Sequence, residues 1–177
     1  MTNFINFITL ARIFLAPIIL VFLIFGNYLV CVLLFFLAGL TDYFDGYLAR
    51  KYNAVSELGE ILDPIADKIL IVFILIGLSV ELDSQLMALL SSLIIAREIG
   101  VAALRDYSAR NNLSERTKVT FLAKAKTSVQ LFTIGLYLLA LAISFNLLIV
   151  ISDIFLIIAT LITLYTGYQY TLNVFKK

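Results

Sequence analysis

Four aspartates, two glycines and an arginine stand at fixed spacing in residues 41–67, TDYFDGYLARKYNAVSELGEILDPIAD, inside an otherwise apolar chain. The pattern reads Asp42-x2-Asp45-Gly46-x2-Ala49-Arg50-x8-Gly59-x3-Asp63-x3-Asp67. Ionised carboxylates beside a bilayer are costly unless a partner offsets the lost hydration. Four together are worse, because like charges repel strongly in a low dielectric. A cation must therefore sit among them, and ligands that are all carboxylate oxygens suit a hard divalent metal. Two such ions held by shared carboxylates can clamp a diphosphate and neutralise a leaving phosphate. Displacement at phosphorus asks little more of a protein than positioning and charge.

Helical spacing turns these residues toward one another. Asp42, Asp45, Gly46 and Ala49 fall at i, i+3, i+4 and i+7, on one face, and Gly59, Asp63 and Asp67 fall at i, i+4 and i+8, again on one face. Two such faces opposed make a carboxylate cage open to water, with Gly46 and Ala49 leaving room for a bulky group against the backbone. Solvated carboxylates paired with Arg50, Lys51 and Lys68 would account for one or two acids, but not for four at matched spacing. A cation-coupled transporter is the competing class, since intramembrane acids mark ion pathways. Pathway acids thread toward the bilayer midplane, whereas these gather at one end, and the broken helices of secondary transporters are not evident.

Composition sets the elements that carry the cage. Of 177 residues, 62% are hydrophobic and 14% charged, and the mean hydropathy is +1.04. Soluble domains are about half apolar and about a quarter charged, so the chain is expected to be an all-α integral membrane protein. There is no histidine, which excludes a Ser-His-Asp triad, an HExxH zinc helix and a phosphohistidine nucleophile. The single cysteine, Cys31, cannot form an intramolecular disulfide and reads as a packing residue. The first apolar stretch, 4–25, lacks the basic region and cleavage site of a signal peptide. It carries Asn6, Thr9 and Arg12, which a plain anchor would not need.

A span takes about 20 apolar residues, which predicts six, near 5–26, 28–48, 61–80, 86–105, 120–145 and 148–170. The connections at Gly26-Asn27, Glu81-Leu82-Asp83-Ser84 and Phe145-Asn146 lack Lys and Arg, whereas those at 50–60 and 106–119 and the Lys176-Lys177 tail are basic. The basic side is expected to be cytoplasmic, which puts both termini and the Asp motif there. With no linker or repeat visible, residues 1–177 form one six-helix transmembrane domain.

Every specified position of the motif resembles the signature of the CDP-alcohol phosphotransferases, D-x2-D-G-x2-A-R-x8-G-x3-D-x3-D. That resemblance implies a six-helix CDP-alcohol phosphotransferase fold, a homodimer, and two divalent ions, Mg2+ or Mn2+, at the cytoplasmic boundary of a membrane, with a bacterial inner membrane favoured. It implies transfer of a phosphatidyl-type group from CDP-diacylglycerol to an alcohol with release of CMP, and membrane lipids rather than nucleic acid as partners. It also implies that Asp42, Asp45 and Asp63 are metal ligands, with Asp67 serving the second metal or acting as catalytic base. Arg50 would meet the diphosphate, with Gly46, Ala49 and Gly59 leaving space for the nucleotide. Thr9 and Arg12 lie on the same side as candidates for that pocket, or are simply a polar helix start. With histidine absent, a carboxylate is the natural base for an acceptor hydroxyl.

The segments Ala96-Arg97-Glu98-Ile99, Ala103-Leu104-Arg105 and Lys124-Ala125-Lys126-Thr127, with Gln130, are similar to the phosphatidylglycerophosphate synthase branch of that family. So are LDPIADKIL and TDYFDGYLARKYN, while Ala123 replaces a glycine common in the branch. This similarity implies glycerol 3-phosphate as the acceptor. Inositol phosphate or phosphatidylglycerol are the alternatives within the fold. Charge argues the same way: Arg97, Arg105, Lys124 and Lys126 beside a hydrophobic domain are expensive unless they meet an anion. An acceptor carrying its own phosphate supplies one, and serine, choline or ethanolamine does not. The competing account is that they snorkel and set topology. Arg97 and Arg105, eight residues apart, share a helix face. The last span shows no specific match and reads as scaffold.

Overall fold

The computed structural model describes residues 2–51, 57–111 and 121–175, with side chains throughout except at 2–5, 45–50, 57, 60, 121, 123 and 124. Among the described residues there are six α-helices and no strand: α1 (Thr2–Ile24), α2 (Tyr28–Lys51), α3 (Glu57–Glu81), α4 (Gln85–Arg110), α5 (Phe121–Ala142) and α6 (Asn146–Phe175). Four stretches, Asn6–Ile24, Gln85–Arg110, Ala125–Ala142 and Asn146–Phe175, are long and apolar enough to cross a membrane, and the chain is an integral membrane protein. The other two helices carry the Asp motif. Asp42 lies within the apolar stretch Tyr28–Phe44 of α2, and the first turns of α3 carry Glu57, Glu60, Asp63, Asp67 and Lys68.

The helices are joined in pairs by the expected tight turns. α1 and α5 each end in a Schellman arrangement. Gly26 (φ 72°) and Ser144 (φ 54°) take the left-handed position, and the next amides, of Asn27 and Phe145, reach back to Phe22 and Ala140. Asp83 (φ 43°) turns α3 into α4, where Ser84 caps the new helix by accepting from the Met87 amide. At the other end α4 and α6 run past 105 and 170, to Arg110 and Phe175. Backbone bonding does not stop where hydropathy does: α4 ends only where the Asn111 side-chain amide donates to the Tyr107 carbonyl at 2.8 Å.

Side by side, the helices close a ring in the order α1, α2, α5, α6, α4, α3, and α3 also meets α5 across the middle. The core therefore centres on α3, whose Ala66, Leu70, Ile71, Ile74, Leu75 and Leu78 are all buried and recur at helical spacing. Cys31 is buried too, its thiol directed at the Ile19 carbonyl, as suits a packing residue.

Gly77 sets how closely α3 approaches α1. A methyl group there would lie 2.6 Å from Leu23 Cδ2 and 2.7 Å from Leu20 Cδ1, and Leu23 is itself fully buried. Gly77→Ala should thus destabilise the fold by about 1–3 kcal/mol, read as a lower midpoint of thermal unfolding in detergent. Gly100→Ala, whose methyl would meet open space, should be neutral or slightly stabilising because alanine favours helix. An unchanged midpoint for Gly77→Ala would refute this account of the α1–α3 approach.

Candidate active site

The described motif side chains, Asp42, Asp63 and Asp67, gather at the end of the ring opposite the tight turns. Arg12, on α1 and only 1% exposed, donates through Nη1 to Asp42 Oδ1 of α2 at 2.5 Å and to Asp67 Oδ1 of α3 at 3.1 Å. One turn earlier, the buried Thr9 hydroxyl donates to Asp63 Oδ1 at 3.0 Å. Thr9 and Arg12 are thus wired to three motif carboxylates from two other helices. Acids this close require a cation among them, and between Asp42 and Asp67 the structure places Arg12. Burying that guanidinium is tolerable because it is paired and hydrogen-bonded. Asp42 and Asp67 stay about half open, at 51% and 40% exposed.

A second cluster lies beside the first. A cavity of about 200 Å³ is bounded by α3, α4 and α5 and lined by Pro64, Asp67, Lys68, Ile71, Arg97, Glu98, Val101, Arg105, Lys126, Thr127 and Gln130. Four of these are basic and two acidic. Glu98 is the hub: it accepts from Arg97 Nη1 at 3.1 Å and from Lys126 Nζ. Arg97 and Lys126 are both more than nine-tenths buried. Among the described residues Arg105 has no carboxylate partner; its Nη2 donates to the Tyr170 hydroxyl at 3.0 Å.

A third space, about 340 Å³, is walled mostly by apolar groups, including Phe35, Phe36, Leu40, Leu70 and Leu131, and reaches Arg12, Asp42 and Asp67. Asp67 lines both cavities. It stands where an apolar compartment ending in carboxylates meets a compact cationic one.

Residues 2–166 match the CDP-alcohol phosphatidyltransferase family. The chain belongs to this family. It is 39% identical over 174 residues, 96% of both chains, to the CDP-diacylglycerol–glycerol-3-phosphate 3-phosphatidyltransferase of Rickettsia typhi. It is 40% identical over 172 residues to the protein of that name from Rickettsia felis, covering 95% of this chain and 93% of the relative. To the one from Haemophilus influenzae it is 34% identical over 174 residues, covering 93% and 89%. Membership of the CDP-alcohol phosphatidyltransferase family reaches from α1 into α6, so both cavities and the motif lie within it.

Among the described residues no three acidic side chains close round a single point, and Arg12 lies between two of them. The donor set nonetheless suits a divalent ion. Asp42 and Asp67 converge from separate helices on one cation, Asp63 is one turn from Asp67, and all the donors are hard oxygens. The motif's fourth acid, Asp45, belongs to α2 with Gly46, Ala49 and Arg50, but their side chains lie outside the described residues, as does that of Lys124 in α5. Gly59 is buried in the first turn of α3. Of the four predicted acceptor cations, Arg97, Arg105 and Lys126 line one cavity.

Three features escaped the sequence argument. Lys68 faces the cationic cavity, although on sequence it is a simple partner for surface acids. Thr166 and Tyr170 of α6 hold Arg97 and Arg105. The signal for them was present: Thr163, Thr166, Gly167 and Tyr170 stand at i, i+3, i+4 and i+7, one polar or small face on an otherwise apolar helix.

Proposed function

We propose that this protein transfers the phosphatidyl group of CDP-diacylglycerol to glycerol 3-phosphate, giving phosphatidylglycerophosphate and CMP in phospholipid synthesis. The observation that carries the reading is the position of Asp67 on the wall between an apolar cavity and a cationic one with two more basic than acidic side chains. A phosphate dianion matches that excess. The names of the similar bacterial proteins favour the same substrates.

In this reading the acyl part of the donor lies against Phe35, Phe36, Leu40 and Leu70, which brings its diphosphate to Asp42, Asp63 and Asp67, with Arg50 as a further contact. These carboxylates, with Asp45, would hold two divalent ions, Mg2+ or Mn2+. When bound, such ions neutralise the diphosphate and the departing phosphate. Arg12 and Thr9 orient the carboxylates from behind. Arg97, Arg105, Lys126 and Lys124 grip the acceptor's phosphate, arginine bidentately and lysine as an adjustable point charge. The 1-hydroxyl oxygen of glycerol 3-phosphate attacks the β-phosphorus of the donor. The new P–O bond forms as the bond to the α-phosphate bridge breaks, CMP departs, and Asp67 takes the hydroxyl proton. The protein would act as a homodimer with six spans in a bacterial inner membrane. The motif end and both termini would be cytoplasmic, in keeping with the absence of Lys and Arg from the three turns at the other end.

The test is acceptor kinetics of the purified protein, with glycerol 3-phosphate, inositol phosphate and phosphatidylglycerol supplied in parallel and CMP release as the readout. Arg105→Ala and Lys126→Ala should each raise KM for glycerol 3-phosphate, about tenfold for every ~1.4 kcal/mol lost. KM for CDP-diacylglycerol should barely move. Preference for another acceptor, or unchanged acceptor kinetics in both variants, would remove the support for glycerol 3-phosphate and leave these charges a role in topology alone.

A further inference from the structure

The helix that reads as scaffold holds the acceptor arginines. Arg97 Nη2 donates to Thr166 Oγ1 at 2.9 Å, and Arg105 Nη2 to the Tyr170 hydroxyl at 3.0 Å. Thr166 spends its own proton on the backbone of α6, with the Ile162 carbonyl at 2.9 Å, so lone pairs are what it turns to Arg97. Both guanidinium carbons lie near the Tyr170 ring, 5.2 Å from its centroid for Arg105 and 6.0 Å for Arg97, within cation–π range. The stem of Arg97 crosses Gly167 so closely that a methyl group there would lie 2.9 Å from its Cγ and 3.2 Å from its Nε. One turn back, Thr163 accepts from Gln130 Nε2 at 2.8 Å.

We infer that Thr166, Gly167 and Tyr170 are positioning residues that set the acceptor subsite, by holding the Arg97 and Arg105 guanidiniums where one phosphate can meet both. The inference rests on the glycerol 3-phosphate reading and deepens it. Thr166, Gly167 and Tyr170 are not among the residues that line the cationic cavity, so they act through the arginines. Glu98 pairs with Arg97 from α4 itself, while the α6 residues that the two arginines meet, threonine, glycine and tyrosine, orient cations without cancelling their charge. A carboxylate in the place of Tyr170 would anchor Arg105 more strongly and would spend the charge that an anion needs. Arg97 and Arg105 both line the cationic cavity, and among the described residues Arg105 meets a tyrosine hydroxyl and no carboxylate, so an anion held in that cavity can meet both guanidiniums. A bidentate grip on phosphate needs such a fork fixed in orientation.

The experiment compares Tyr170→Phe, Gly167→Ala, Thr166→Val and Thr166→Ser with the wild-type full chain in detergent. It measures kcat, both KM values, competitive inhibition by inorganic phosphate against glycerol 3-phosphate, and the thermal midpoint. Tyr170→Phe keeps the ring and loses only the hydroxyl; it and Thr166→Val should raise KM for glycerol 3-phosphate about tenfold. The inhibition constant for inorganic phosphate should rise in parallel, with KM for CDP-diacylglycerol held within about twofold. Gly167→Ala should do the same or more, and Thr166→Ser should restore near wild-type values. If Tyr170→Phe and Thr166→Val keep wild-type acceptor KM, or if both KM values and the midpoint shift together, α6 is packing and the inference is overturned while the acceptor reading stands. If the wild-type protein makes no product from glycerol 3-phosphate, the acceptor reading falls first and this inference with it.

Discussion

Asp42→Asn and Asp63→Asn should each lower CMP release about a thousandfold while the protein still inserts in membranes at normal abundance. Asparagine keeps the size of aspartate and removes the charge that holds a hard cation. The two changes also differ in a useful way. Asp42 pairs with Arg12 at 2.5 Å, so the change takes one negative charge away from that buried guanidinium, and some fall in thermal stability should accompany the loss of turnover. Asp63 accepts from the neutral Thr9 hydroxyl, a bond that an asparagine oxygen can still accept, so Asp63→Asn should lose activity with little change in stability. Chelator-treated wild-type protein should be inactive and recover with Mg2+ or Mn2+. The measurement is CMP release from CDP-diacylglycerol and glycerol 3-phosphate by purified protein, beside an immunoblot of membrane fractions. Near-normal turnover in either variant, or activity that survives complete chelation, would rule out the carboxylates as a metal site.

The motif was legible because its meaning is local. Asp42 and Asp45 share a helix face by spacing alone, as do Asp63 and Asp67, and an apolar setting makes four acids conspicuous. The pairing of Arg12 with Asp42 and Asp67 was not legible, since it joins residues 30 and 55 positions apart and depends on α1 lying against both α2 and α3. Length and hydropathy find helices and the turns between neighbours, but they do not give the ring order, in which α6 stands next to α4. That adjacency is what brings Thr166 and Tyr170 to Arg97 and Arg105. The polar face of α6 was readable by the same spacing rule that exposes the Asp motif. It was passed over because threonine and tyrosine carry no charge, so their burial in an apolar helix demands no explanation until their partners are known. The C-terminal ends of α4 and α6 ran past their expected limits for a related reason: hydropathy marks where a membrane ends and not where hydrogen bonding does.

Asp67→Asn should reduce kcat by about a hundredfold or more, the range expected when a general base is removed, with KM for CDP-diacylglycerol nearly unchanged. Among the described residues Asp67 is the motif acid that lines both cavities, and a base must reach the acceptor hydroxyl while the donor phosphorus lies on its other side. The substitution is mild structurally. An asparagine oxygen can still accept from Arg12, and the 2.5 Å pair between Arg12 and Asp42 remains, so the carboxylate framework should persist. A group used only as the proton moves contributes to the transition state and not to the ground state, which predicts a fall in kcat and kcat/KM together. A group that chiefly ligates an ion predicts otherwise: weaker donor binding and recovery of activity as the metal concentration rises. Steady-state kinetics of Asp67→Asn across a metal titration separates the two. A kcat that stays depressed at saturating metal and saturating donor assigns the proton to Asp67. Recovery to near wild-type turnover at high metal would make it a ligand and send the search for the base to the other motif carboxylates.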